Sequence, residues 1–305
     1  MERQMLDGAV RLDHLGAIRA RGVDATKFLQ SQLTTDVVAL GLGEARLAGF
    51  CSAKGRLQAS FVVWKSSDEE LLLICSASLL AATLKRLSMF VLRAQCKLSD
   101  ATLEIPLVGR VGPESARSVG DAKVWEKRVV GGGVLIRLPD AAGLARCLVA
   151  GAAAAAEIDT PIPLDHWRWL EVQSGIPTVE AATVDRFVPQ MLNFELIGGV
   201  DFQKGCYPGQ EVVARSQYRG TIKRRMFRFD CDAPTAAGQE VFDDADREQP
   251  AGMVVNAAPN PSGGWSSLVE AKLASMESGV LHLGSADGPP LRAASLPYAL
   301  TALDA

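Results

Sequence analysis

Histidine is scarce in this chain, with only His14, His166 and His282 in 305 residues. Six cysteines stand at 51, 75, 96, 147, 206 and 231, with no Cys-x-x-Cys and no two closer than 21 residues. Zinc and iron–sulfur centres draw on clustered ligands, so this spacing argues against a self-contained metal site. A cluster held between subunits through Cys206 stays open. No apolar run reaches the ~18 residues of a membrane helix. The opening Met1-Glu2-Arg3-Gln4-Met5-Leu6-Asp7 lacks the apolar core of a signal peptide. The expected compartment is the cytoplasm, where thiols stay reduced. Neither charge sign dominates: 32 Lys and Arg face 35 Asp and Glu, a net charge of −3. That balance argues against a surface that coats nucleic acid, while leaving room for a local basic patch.

What is present is ordinary for a globular chain, 48% hydrophobic and 22% charged, with length enough for two or three domains. One stretch stands out, Asp201-Phe202-Gln203-Lys204-Gly205-Cys206-Tyr207-Pro208-Gly209-Gln210-Glu211-Val212-Val213-Ala214-Arg215. Gly205 and Gly209 permit backbone angles that side chains forbid, and Pro208 suits a first helical turn. The pattern reads as strand, tight turn carrying Cys206, then a helix from Pro208 to Gln217 with Val212, Val213 and Ser216 on one side. A cysteine at a helix N-terminus, with Lys204 and Arg215 nearby, is biased toward thiolate. The other reading is a buried structural cysteine.

Earlier in the chain, residues 11–22 read as a strand, and Asp24 as the cap of a helix over Ala25–Leu33. Strands follow over Glu44–Ala53 and Gly55–Trp64, then a strand Leu71–Cys75 and an amphipathic helix Ala77–Phe90. Val91–Leu98, Leu103–Val111 and Val129–Leu138 read as further strands, with Gly131-Gly132-Gly133 a hairpin turn. Pro113 and Asp140 read as helix starts. Residues 141–148 and the alanine run to Ala156 read as helix, alanine being the best helix former. Leu164–Ser174 is a helix closed by Gly175. Its Trp167 and Trp169 point to different faces, so one is expected to line a cleft or interface. Short apolar runs over 221–300, separated by Pro and Gly, point to a small antiparallel barrel. The basic run Arg219, Lys223, Arg224, Arg225 and Arg228 fits RNA, an acidic ligand tail or a solvated face, the last being the usual fate. Direct RNA binding is left open but lacks interleaved base-stacking aromatics.

Lys204-Gly205-Cys206-Tyr207-x-Gly209-Gln210-Glu211, followed by Ala214-Arg215, resembles the signature of the YgfZ family. These are folate-binding, glycine-cleavage-T-protein-like factors linked to iron–sulfur protein maintenance and tRNA modification. The likeness extends to Asp24-Ala25, Phe28-Leu29-Gln30-x-Gln32-x-Thr34-x-Asp36-Val37, the hairpin around Cys51 to Arg56, Phe187 to Arg215, and the closing residues Leu296-Pro297-Tyr298. It implies an α+β fold with T-protein-like N-terminal lobes, mixed and mostly antiparallel sheets, and a C-terminal barrel. It also implies a folate channel between lobes with Cys206 near its mouth. The implied domains are 1–155, 156–220 and 221–305. Trp167 falls where the family carries a tryptophan implicated in folate binding, and a pteridine would stack on its indole face. The family's second such tryptophan falls at Leu15, which offers apolar contact without stacking. At the T-protein's catalytic aspartate this chain has Gln58, an amide that cannot titrate.

These readings imply a tetrahydrofolate-binding accessory factor for assembly or repair of iron–sulfur enzymes, including those that modify tRNA. Cys206 and Lys204 would carry chemistry. Trp167, Gln190, Asn193, Glu180, Tyr207, Gln210, Glu211 and Arg215 would hold the folate, with Glu195 a second carboxylate suited to a pterin edge. Partners would be folate and iron–sulfur client proteins, and the chain would be a monomer. The alternatives are a folate-dependent one-carbon transferase, against which Gln58 counts, and a folate-sensing scaffold with Cys206 structural.

Overall fold

The computed structural model describes residues 6–155, 158–218 and 222–300. The chain opens with β1 (Gly8–Arg11), β2 (Leu15–Arg21), α1 (Ala25–Gln30), β3 (Ala45–Cys51), β4 (Leu57–Ser67), β5 (Glu70–Ser76) and α2 (Ala77–Ser88). It continues through β6 (Lys97–Asp100), β7 (Leu107–Val111), α3 (Pro113–Val119), β8 (Lys127–Val130), β9 (Gly133–Ala141) and β10 (Leu144–Gly151). Then come α4 (Leu164–Gln173), α5 (Gln210–Tyr218), β11 (Arg224–Cys231), β12 (Glu240–Phe242) and β13 (Gly252–Pro259). The described part closes with β14 (Trp265–Lys272), α6 (Leu273–Ser278), β15 (Leu281–Leu283) and β16 (Pro290–Ala294).

Two five-stranded sheets share the first half of the chain, one ordered β3-β4-β5-β2-β6 and the other β1-β7-β10-β9-β8. β1 therefore leaves its sequence neighbours and pairs with β7, Gly8 opposite Val111. The remaining strands close a barrel in the order β11-β14-β13-β12-β15-β16. Every strand pair in the three sheets is antiparallel. An isolated parallel bridge joins Ala9 to Pro161. The barrel and the α+β lobes follow the sequence reading. The boundary expected at 155/156 adjoins residues outside those described, and the one at 220/221 lies among them, as does Arg219 of the basic run.

The sheets bury one face each against the other. Ala17, Trp64, Leu72 and Ile74 of the first sheet meet Val111, Ile136 and Leu148 of the second, with Trp167 and Leu170 of α4 wedged into the same core. The opposite face of the first sheet is covered by α1 and α2 through Phe28, Leu29, Leu80 and Leu87. A third cluster ties the β3–β4 hairpin and α4 to the barrel through Leu57, Val172, Phe187, Met226 and Leu268.

Four local expectations change. Asp24 makes no side-chain cap on α1; its carboxylate instead accepts from the Gln95 amide at 2.7 Å. That bond and the reciprocal Asp24 amide to Gln95 carbonyl hold 91–96 irregular, so β6 begins only at Lys97. Residues 141–148 are not helix. Ala142 and Gly143, both at positive φ, turn the chain into β10, whose backbone is claimed by β7 and β9 on either side. Tertiary pairing there overrides alanine's helix preference. The motif has no strand before Cys206, and its helix starts at Gln210 rather than Pro208.

Candidate functional site

A cavity opens where the two sheets and α4 meet, with about 690 Å3 of empty space, its open mouth included. Its walls are mostly apolar, from Leu47, Phe61 and Ile74 on the first sheet and Leu138 and Leu148 on the second. Trp167 and Arg146 complete the wall, and Glu171 supplies a carboxylate. A largely apolar hollow with a few convergent polar groups is the usual form of a small-molecule site.

Trp167 is 1% exposed. Its ring lies flat against β7 because Gly109 has no side chain: a Cβ there would come within 2.7 Å of three indole carbons. The indole Nε1 donates to Glu171 Oε1 at 3.0 Å, one helical turn on. His14 Nε2 lies 3.2 Å from both Glu171 oxygens. Burial raises the Glu171 carboxyl, but His14, Arg146 and Trp167 together outweigh it and leave the pKa below the usual carboxylate value. Arg146 is 2% exposed, with its guanidinium carbon 5.3 Å from the Trp167 ring centroid. Its Nε and Nη2 both donate to the Pro139 carbonyl, at 3.2 and 3.1 Å. Burial pulls its pKa down to about 10, against the pull of Glu171 and Asp140, so it stays cationic at neutral pH. His14 Nδ1 is buried with no hydrogen-bond partner among the described residues.

The motif builds a second, different place. Asp201 accepts the Gln203 and Lys204 amides at 2.8 and 3.2 Å, turning the chain. Lys204 is 7% exposed. Its ammonium donates to the Leu33 carbonyl at 2.5 Å and to the Gln30 carbonyl, the free carbonyl end of α1. It also sits 5.1 Å from the Tyr207 ring centroid. Burial lowers the Lys204 pKa to about 8, against the attraction of Asp36, Asp201 and Cys206. Tyr207 is buried, and burial, with Cys51 beside it, drives its hydroxyl pKa upward. Cys206 between them is exposed, whereas Cys51, Cys75, Cys147 and Cys231 are buried and Cys96 half-buried. Burial raises the Cys51 and Cys75 thiols to about 12.

Gly209, at φ +78°, packs on the β3–β4 turn; a Cβ there would come 2.4 Å from the Ser52 carbonyl and 2.6 Å from the Gly55 amide. Thus β4 starts beneath the motif, and its Ser60, Phe61 and Val62 then wall the cavity. No motif residue, Cys206 included, is among those lining that cavity.

The other residues singled out in the sequence are dispersed. Glu180 pairs with Arg168 at 3.2 Å on a smaller hollow that shares Glu171, Ile176 and Thr178 with the main cavity. The Gln190 amide donates to the Val213 carbonyl at 2.8 Å, and the Asn193 amide to the Met226 carbonyl at 2.7 Å. Glu195 is buried against Arg225; burial raises its carboxyl, partly offset by that guanidinium. Gln210 is half-buried at the start of α5. Glu211 and Arg215 form an exposed ion pair at 3.0 Å. Sequence reasoning placed Trp167 but missed Glu171, Arg146, His14 and Gly109. The Trp167-x-x-x-Glu171 spacing, one helical turn, was the available signal for Glu171. The other three come from distant strands and turns and carry no local pattern.

Residues 7–124 match the family model for the GCVT N-terminal domain. The fold is similar to the crystal structure of glycine cleavage system aminomethyltransferase T from Bartonella henselae, with a TM-score of 0.75 at 17% identity, covering 95% of this chain and 85% of that one. The chain is 31% identical over 243 residues to the tRNA-modifying protein YgfZ of Edwardsiella ictaluri, covering 72% of this chain and 69% of that protein. It is 29% identical over 310 residues to the tRNA-modifying protein YgfZ of Photorhabdus laumondii, covering 95% and 92%. The motif, the match along most of the chain and the shared architecture lead to one assignment: the chain belongs to the YgfZ family.

Proposed function

We propose that this protein binds a reduced folate in the Trp167 cavity and serves tRNA modification as an accessory factor in assembly or repair of the iron–sulfur enzymes involved. Cys206 is its reactive thiol. The observation that carries the reading is the cavity between the two sheets and α4, with an indole, a carboxylate and a guanidinium set in apolar walls. The residues fit the group. A flat ring finds apolar walls with Trp167 among them, and its polar edge finds Glu171 and Arg146, whose Nη1 makes no hydrogen bond among the described residues.

When bound, the folate supplies one-carbon or redox capacity; the chain's own groups bind and orient. Trp167 is fixed by Gly109 and by its bond to Glu171. Lys204 is a positioning group that pins the Cys206 loop to the end of α1. Exposure of Cys206 leaves its sulfur accessible to a client protein. The second reading, a one-carbon transferase, is weakened by Gln58, a half-buried amide on β4 that cannot act as a base.

Calorimetric titration with tetrahydrofolate tests the ligand: saturable binding is expected for wild type and strong loss for Trp167→Ala. Complementation tests the thiol: Cys206→Ser is expected to fail to restore a deletion strain, and equal rescue would refute the cysteine's role.

A further inference from the structure

A second recess lies between the start of β4 and the barrel, with about 710 Å3 of empty space, open solvent included. It shares no lining residue with the Trp167 cavity. Arg56, Arg186, Phe187 and Met191 form one side; the barrel supplies Arg224, Glu240, Met253 and Glu270. The first side is held in place by a strained turn. Asp185 stands at φ +59°, a left-handed conformation unusual for a residue with a side chain. Its amide donates to the Leu57 carbonyl at 2.8 Å, and the Leu57 amide to the Phe187 carbonyl at 2.8 Å. The Ser52 hydroxyl donates to the Asp185 carboxylate at 2.9 Å. This turn leaves Arg186 exposed, and Arg56 Nη1 donates to the Arg186 carbonyl. Arg56 spends no other donor among the described residues, and the Arg186 side chain makes no hydrogen bond or ion pair among them. On the barrel side, Arg224 is already met. Its guanidinium is bidentate to Glu270, which is 2% exposed, and donates to the Ala251 carbonyl at 3.1 Å.

We propose that this groove docks a partner-protein segment in which acidic side chains flank apolar ones. The two unspent guanidinium groups of Arg56 and Arg186 receive carboxylates, whose geometry their planar forks match. Met191 and Met253 receive the apolar side chains, and two methionines make a floor that adapts to differing shapes. A nucleic-acid strand fits less well. Phe187 is 3% exposed and offers no open ring face to a base. The exposed carboxylate of Glu240, without a partner among the described residues, repels a phosphate backbone, whereas a peptide of mixed charge can bring a cation to it. The groove also adjoins the motif through one turn. A Cβ on Gly55, the residue before Arg56, would come 2.9 Å from the Val212 Cβ of α5 and 3.2 Å from the Gly209 carbonyl. The β3–β4 turn thus supports the motif at one residue and lines the groove at the next, so a docked segment lies close to the loop that exposes Cys206. The docking needs no folate.

Selection from a random peptide display library, run on the full chain without folate, tests it. The expected result is enrichment of peptides with Asp or Glu beside Leu, Ile, Met or Phe. Fluorescence anisotropy with an enriched peptide then gives affinities. Arg186→Glu, whose exposed side chain makes no bond to lose, is expected to melt like wild type and to bind about tenfold more weakly. Replacing the acidic residues of the peptide by Lys is expected to reverse the preference between the two proteins. No enrichment, enrichment of basic peptides, or equal affinity of wild type and Arg186→Glu each overturns the docking site. So does tighter binding of a labelled oligouridylate than of the peptide, which would assign the groove to nucleic acid. These failures leave the folate reading standing, and a failure of folate to bind leaves the groove standing.

Discussion

The cavity and the motif loop are built in opposite ways. The cavity is assembled from side chains that meet only after two sheets and a helix pack, and its buried guanidinium, Arg146, spends both of its hydrogen bonds on one carbonyl. The motif loop is assembled from main-chain bonds within and next to itself, and its one distinctive atom, the Cys206 sulfur, is left in solvent. A pocket that must grip a ligand keeps unmet demand inside. The loop instead ties its own main chain and Lys204 down and leaves the Cys206 side chain exposed. Substitutions should therefore act on the two regions through different observables.

The largest effect is expected at Gly109→Ala. The added Cβ meets three ring carbons of Trp167 at 2.7 Å, so the indole must move. Overpacking of this kind costs about 1–3 kcal/mol of stability, and folate affinity should fall with it. Chemical denaturation and calorimetry report the two losses, and a variant with unaltered folate affinity would separate Trp167 from the ligand. Next comes Lys204→Met, which strips two backbone carbonyls of their buried donor at a cost on the order of 1–3 kcal/mol. Hydrogen exchange should show it confined to the motif and the end of α1, with Cys206 alkylating at a changed rate. Lys204 also has a pH signature. Its folded pKa of about 8 lies below the ordinary 10.5, so between these values the unfolded chain holds more protons. Stability contributed at this site should rise with pH across that window, and the rise should be absent in Lys204→Met.

Smaller still is Cys206→Ser, expected to leave the melting temperature nearly unchanged because the side chain is exposed. It should nevertheless remove the fastest-alkylating thiol of the folded protein, the buried cysteines being shielded. The smallest effect is expected at Arg215→Ala. Its pair with Glu211 is 70% and 86% exposed, and exposed helical pairs contribute about 0.3–0.5 kcal/mol. A large loss of folate binding or of complementation in this variant, without loss of stability, would assign Arg215 to a ligand or client.

The same contrast governs what could be read from the sequence. The motif was legible because its chemistry is local: Lys204, Cys206 and Gly209 lie within six residues and build one loop. The β3–β4 hairpin, α2, the helix carrying Trp167 and the C-terminal barrel were legible from periodicity and turn residues. β10 was misread because Ala145, Leu148 and Ala150 favour a helix, and only the flanking strands β7 and β9 decide otherwise. Lys204 was read as a charge beside the thiol; that it reaches back to carbonyls at Gln30 and Leu33 is a tertiary fact. Arg146, Gly109 and His14 were silent for the same reason, each ordinary in its own neighbourhood.

One topological detail bears on how the molecule is made. β1 finds its partner only at β7, Gly8 facing Val111, after the chain has laid down the whole β2–β6 sheet. On the ribosome the leading segment must therefore wait, unclaimed, while roughly the next hundred residues emerge at about 5–20 per second. A nascent chain arrested just short of β7 should expose that leader to protease, and one extended past β10 should hide it.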